Sequence, residues 1–122
     1  MNKKVLIVDD DPDIVKLVQN RLVKEGYQTV FANDGKSALE AACSQKPDLI
    51  ILDVMMPPPN GFQVCRTLKD DPQLRSIPVI LLTAKGTDSD KFWGVEAGAD
   101  SYLTKPYDHK ELLDKVHEFL DR

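Results

Sequence analysis

The chain lacks any apolar run long enough to cross a bilayer, since stretches such as Leu49 to Leu52 last only a few residues, and no basic-then-apolar leader precedes Val5. A soluble, cytoplasmic protein with no membrane contact is expected. Positive charge is not in excess either. With 16 Lys and Arg against 20 Asp and Glu, interspersed to a net charge of −4, there is no basic stripe to grip nucleic acid, so direct partners are expected to be proteins. Cysteine is scarce. Cys43 and Cys65 lack the paired spacing of a metal site and fall inside helical patterns, which predicts buried free thiols rather than a disulfide. No Walker loop, Gly-x-Gly-x-x-Gly fingerprint or Gly-x-Ser-x-Gly elbow occurs, so nucleotide-binding and serine-hydrolase chemistry lose their support. Repeats, low-complexity tracts and linkers are missing as well. The 122 residues, 42% hydrophobic, therefore predict one compact domain over 1–122 with no output domain.

What is present centres on Pro47-Asp48-Leu49-Ile50-Ile51-Leu52-Asp53-Val54-Met55-Met56-Pro57. Leu49 to Leu52 is apolar on both faces, as suits a central parallel strand covered by helices on either side, and it stops at the carboxylate of Asp53. Lys4 to Val8 repeats the pattern and runs into Asp9, Asp10 and Asp11. Asp11-Pro12 reads as a helix cap and first turn, and Ile14, Leu17, Val18 and Leu22 recur at helical spacing up to Gly26. Tyr27 to Phe31 predicts a strand. Ala38, Leu39 and Ala42 mark a second helix, and Phe62, Cys65 and Leu68 a third. Pro78 to Leu82 predicts a strand ending at Thr83, with a fourth helix around Asp88 to Glu96 that carries Trp93 and is weakened by Gly94. Ser101 to Thr104 is the last strand, closed by Lys105-Pro106. Asp108 and Glu111 form a capping box for a final helix whose inner face is Leu112, Leu113, Val116, Phe119 and Leu120. His109 and His117 are expected at its surface. Five strands alternating with five helices call for a parallel sheet wound on both faces, a flavodoxin-like (βα)5 fold.

In such a sheet, groups at the strand carboxyl ends share one edge. Asp9, Asp10, Asp53, Thr83 and Lys105 are therefore expected together. Clustered carboxylates repel one another unless a cation neutralises them, and Mg2+, a hard ion that keeps several waters, would suit Asp10 and Asp53 with a nearby backbone carbonyl. Lys105 and Thr83 add a fixed positive charge and a hydroxyl donor. The set describes an anion site over a carboxylate nucleophile, which points to formation of an aspartyl phosphate. Each residue alone has a structural reading, as a turn cap, a polar strand end or a surface cation. Only the set carries the chemistry.

Five motifs in order, Val8-Asp9-Asp10, Leu52-Asp53-Val54-Met55-Met56-Pro57 with Gly61, Leu82-Thr83-Ala84, Gly98-Ala99-Asp100 and Tyr102-Leu103-Thr104-Lys105-Pro106-Tyr107, make the chain from Val5 to Leu120 resemble response-regulator receiver domains of two-component signalling. That resemblance implies Asp53 as phosphoacceptor. It implies Mg2+ held by Asp10, Asp53 and the Met55 carbonyl, with Asp9 acting through water, and phosphoryl oxygens held by Thr83 and Lys105. It further implies a switch pairing Thr83 with Tyr102, a cis Lys105-Pro106 peptide, and a surface formed by the fourth helix, last strand and last helix that a downstream protein reads. The donor would be a histidine kinase or phosphotransfer protein, and the chain's own residues would catalyse the transfer. The chain departs from its relatives at Pro58-Pro59-Asn60, a stiffer loop than usual. It also carries Asp100-Ser101 and Lys115 where dimerising receivers have an Asp-Asp pair and an arginine, so both a monomer and a phosphorylation-dependent dimer stay open. Met55 and Lys85 occupy the positions that tune phosphate lifetime. Two alternatives remain: a pseudo-receiver acting as a phosphorylation-independent interaction module, and a haloacid-dehalogenase-like phosphatase, which needs an acid where Met55 stands.

Overall fold

The computed structural model describes residues 3–83 and 96–121. Its elements are β1 (Lys4–Val8), α1 (Pro12–Lys24), β2 (Gln28–Ala32), α2 (Gly35–Gln45), β3 (Leu49–Asp53), α3 (Gly61–Asp70), β4 (Val79–Thr83), β5 (Ser101–Thr104) and α4 (His109–Leu120). All strand pairs are parallel, in the order β2-β1-β3-β4-β5. The chain first steps from β1 to β2 on one side, then to β3, β4 and β5 on the other. The direction therefore reverses between β1 and β3, and a crevice opens there at the strand carboxyl ends. Thr83, expected just past its strand, is the last residue of β4. The helix expected around Asp88 to Glu96 lies outside the described residues except for Glu96, and with it lie Ala84, Lys85, Trp93 and Gly94.

Alternation along the strands divides the core in two. Leu6, Ile50, Leu52 and Leu81 face α2 and α3, while Ile7, Leu49, Ile51 and Leu82 face α1 and α4. Both faces of the central strands are covered, which explains their unbroken apolar runs. The helical stripes differ in detail from the sequence pattern. In α1 the buried residues are Val15, Val18 and Leu22, whereas Leu17 is exposed, because the first turn, capped by Asp11, sets a rotation that turns Leu17 toward solvent. In α2 the buried stripe is Gly35, Ala38 and Ala42; Cys43 lies one residue beyond it, about 100° around the helix, and is exposed. The expectation of two buried thiols therefore holds for Cys65 alone, where burial pushes the thiol up to about 11 and leaves it inert.

His117 does more than occupy the surface. Its Nδ1 lies 2.7 Å from the Tyr27 hydroxyl and 2.6 Å from Asp121 Oδ2, and its Nε2 lies 3.2 Å from Glu25 Oε1. This network ties the end of α4 to the end of α1 and the start of β2. Hydrogen bonding to Glu25, then to Asp121, holds the imidazolium above its ordinary range. The folded value is raised, so the added stability is complete below about pH 6.5 and is lost as pH rises through the folded value. The His117 side chain is 37% exposed, and solvent screening limits the effect to about 0.5 kcal/mol. An NMR titration of the ring should give a midpoint above about 6.5, and the Tm advantage over His117→Gln should shrink on going alkaline. A midpoint at or below the free-histidine value would contradict this.

Candidate functional site

Strand register assembles the site. Val8 pairs with Leu52, so Asp9 and Asp53 come next on adjacent strands; Asp53 pairs with Leu82 and Thr83 with Thr104, which puts Lys105 next in line. Local structure then orients the groups. Asp11 caps α1 by accepting from Asp13 N (2.9 Å), and its own backbone N–H donates to Asp9 Oδ1 (2.9 Å). Past β3 the chain doubles back, with Gly61 N donating to Val54 O (3.2 Å). A Cβ on Gly61 would collide with the carbonyl oxygen of Asp53 and stand 2.7 Å from Val54 Cα, so only glycine lets α3 start this close to the nucleophile's backbone. Asn60 and Gln63 close that turn with a reciprocal capping box, at 3.0 and 2.7 Å.

Asp53 is buried, and Lys105 Nζ donates to its Oδ1 at 2.9 Å. Burial alone would push the Lys105 ammonium down, but the hydrogen bond and charge of Asp53, aided by Asp9, outweigh it and hold the ammonium above its ordinary value. Lys105 stays positive throughout the neutral range. Burial pushes the Asp9 carboxyl up to about 6, against the pull of the Asp11 N–H and with the charge of Asp53 adding to the rise. Asp10, one residue on, is exposed. Two buried oxygens of this set, Asp9 Oδ2 and Thr83 Oγ1, have no hydrogen-bond partner among the described residues. Buried polar atoms are rarely left so, and such vacancies fit a site shaped for a charged guest.

Asp9, Asp10 and Asp53 each offer an oxygen within 4.8 Å of the others. Opposite ligands of a magnesium octahedron stand about 4.2 Å apart, so this donor set, all hard oxygens, fits Mg2+. Of the predicted residues, Asp9, Asp10, Asp53, Thr83 and Lys105 meet at one sheet edge. Met55 follows on the loop, its residue 64% exposed. Tyr102 is half-buried on β5 opposite Leu81, packed against the core on the α2 and α3 side. The Lys105–Pro106 peptide is cis, as the resemblance implied, and Pro58–Pro59 is cis as well. One neighbour had no assigned role: Tyr107 lies close enough for the charges of Lys105, Asp9 and Asp53 to act on its hydroxyl, which burial holds above its ordinary range. The only sequence signal for it was its place two residues after Lys105.

Comparison with known proteins agrees with this fold. The family described as response regulator receiver domain matches residues 5–117. The chain is 46% identical over 122 residues to the alkaline phosphatase synthesis transcriptional regulatory protein PhoP of Bacillus subtilis, covering 100% of this chain and 50% of that protein. It thus spans about half the length of that relative. Among solved structures, Vibrio cholerae chemotaxis protein CheY4 superposes with a TM-score of 0.92 at 33% identity, covering 98% of this chain and 100% of that one. The receiver domain of sensor histidine kinase PA1611 from Pseudomonas aeruginosa, which holds a magnesium ion coordinated in its active-site cleft, superposes with a TM-score of 0.90 at 27% identity, covering 100% of both chains.

Proposed function

Because the chain belongs to the response regulator receiver domain family, we propose that it accepts a phosphoryl group on Asp53 from a phosphohistidine of a histidine kinase or phosphotransfer protein. The observation that carries this is the buried Asp53 carboxylate, hydrogen-bonded to Lys105 at 2.9 Å beside two further carboxylates and a Thr83 hydroxyl with no partner among the described residues. A carboxylate oxygen of Asp53 attacks phosphorus as the imidazole leaves. Lys105 and Thr83 hold the phosphoryl oxygens and steady the charge that builds on them. Asp10, Asp53 and the Met55 carbonyl hold Mg2+, with Asp9 engaged through water; when bound, the ion neutralises the crowded carboxylates and the transferring oxygens. The test is incubation with acetyl phosphate and Mg2+, read by intact mass for one added phosphoryl group.

Thr83 and Tyr102 form the switch, and the output surface comprises the helix expected around 88–96, β5 and α4. A net charge of −4 with no basic stripe supports a protein as direct partner of this surface. Asp100 is already committed: it accepts from Lys69 Nζ (2.7 Å) and from Val79 N (2.8 Å). That commitment, and Lys115 in place of an arginine, favour a monomer over a dimer built on this face.

The phosphoaspartate should persist. A thioether at Met55 cannot serve as base for the attacking water, and Lys85, which lies outside the described residues, supplies a cation rather than a base. Labelled protein freed of donor is expected to keep its phosphoryl group far longer than the labelling took. Rapid phosphate release without a phosphatase would contradict that expectation.

A further inference from the structure

We propose that Gly35 is a positioning residue for the cation site, acting through Pro59 on the loop that carries the Met55 carbonyl. This rests on the reading of Asp10, Asp53 and the Met55 carbonyl as cation ligands. Gly35 is the buried first residue of α2, held in place by the Asp34 cap, whose side chain accepts from Ser37 N at 2.7 Å. A Cβ there would collide with the Pro59 carbonyl oxygen and stand 2.6 Å from Pro59 Cγ and 2.9 Å from Val64 Cγ2. The proline therefore rests directly on the bare Cα of Gly35.

The other end of the loop is tethered at Val54 and Met56, with the Met55 carbonyl between them. Val54 N donates to Leu82 O (3.0 Å), Met56 N to Val54 O (3.0 Å), and the Val54 and Met56 side chains are buried. Between the Met56 anchor and Pro59 run only Pro57 and Pro58, and three successive prolines each lock φ. The segment is a stiff strut with one foot in the core beside Asp53 and the other on α2. Met55 is exposed, so its side chain does not place its carbonyl; that carbonyl shares a peptide with Met56 N, and the strut joins Met56 directly through Pro57, so a push along the strut bears on it. Adding a methyl at Gly35 makes something move, and α2 is pinned to the sheet by Ala38 and Ala42. The loop moves instead. Magnesium tolerates little departure from octahedral geometry, so a small carbonyl displacement costs affinity.

The measurement is Mg2+ titration calorimetry on the full chain at fixed ionic strength, with thermal unfolding in EDTA as the check on folding. Gly35→Ala should weaken binding about tenfold, the range seen when supports behind metal ligands are lost. Pro59→Gly, which removes the ring resting on Gly35 and frees the backbone around residue 59 without crowding α2, should also weaken it. With Pro59→Gly already present, Gly35→Ala should cost less than about twofold more, since the freed residue-59 backbone can yield to the added methyl without passing the push along the loop. Unchanged affinity in Pro59→Gly, or in a folded Gly35→Ala, overturns the proposal, as do fully additive losses. Asp10→Asn separates this from the underlying reading: if it leaves Mg2+ binding intact, the ligand assignment itself fails, whereas binding lost in Asp10→Asn but unchanged in Gly35→Ala overturns the positioning role alone.

Discussion

Treated with acetyl phosphate and Mg2+, the Asp53→Asn protein should gain no phosphoryl group, while the unaltered chain gains one. An amide lacks the anionic oxygen that attacks phosphorus, so the loss should be complete rather than partial. The fold should survive the change. Asparagine has the same shape, its carbonyl oxygen can still accept from Lys105 Nζ, and Lys105, with 32% of its side chain exposed, can reach water for the rest of its solvation. Removing one of three crowded carboxylates also relieves repulsion on Asp9, whose rise owes part of its size to Asp53. Stability should therefore shift by no more than about 1 kcal/mol. Labelling that persists in Asp53→Asn would move the phosphoacceptor elsewhere. No labelling of the unaltered, folded, magnesium-bound chain would favour a phosphorylation-independent interaction module.

Asp9→Asn should have the opposite pair of effects, a more stable protein with a weaker cation site. Burial raises the Asp9 carboxyl from 3.8 to about 6 in the folded chain. The folded state then binds the proton more tightly than the unfolded state, so stability is greatest below about pH 4, falls through the window between the two values, and stays low above it. At neutral pH and without metal, ionised Asp9 costs up to about 2–3 kcal/mol. Asparagine removes that charge while its carbonyl can keep the hydrogen bond from Asp11 N, now 2.9 Å to Oδ1. The new amide N–H2 takes the place of the unpartnered Oδ2 and gives back part of the gain, leaving about 1–2 kcal/mol. Urea unfolding in EDTA should show this gain at about pH 7 and its disappearance near about pH 4. Mg2+ affinity should drop about tenfold in the same variant. A variant less stable than the unaltered chain at neutral pH would mean that the Asp9 charge is not a burden on the fold.

Much of this protein was legible before any coordinates. Unbroken apolar runs marked the central strands, caps such as Asp11 and the Asp108–Glu111 box marked helix starts, and strand ends that stop on Asp9, Asp10, Asp53, Thr83 and Lys105 announced one reactive edge. These signals are local, because side-chain direction follows from backbone period alone. Tertiary structure decided what depends on neighbours distant in the chain. Adjacent Asp9 and Asp10 look alike in sequence, yet the crevice between β1 and β3 buries the first and leaves the second exposed. Helical spacing proposed both Cys43 and Cys65 for the interior, and only the rotation of α2 against the sheet separated them. His117 read as a surface residue because its partners Glu25 and Tyr27 stand about ninety positions away. Gly35 gave no sign of touching Pro59, since that contact exists only where α2 and the β3–α3 loop converge. Composition and period settle which elements form and which positions are apolar, whereas register and packing settle which of those positions are buried, as Leu17 and Cys43 show, and which groups then meet.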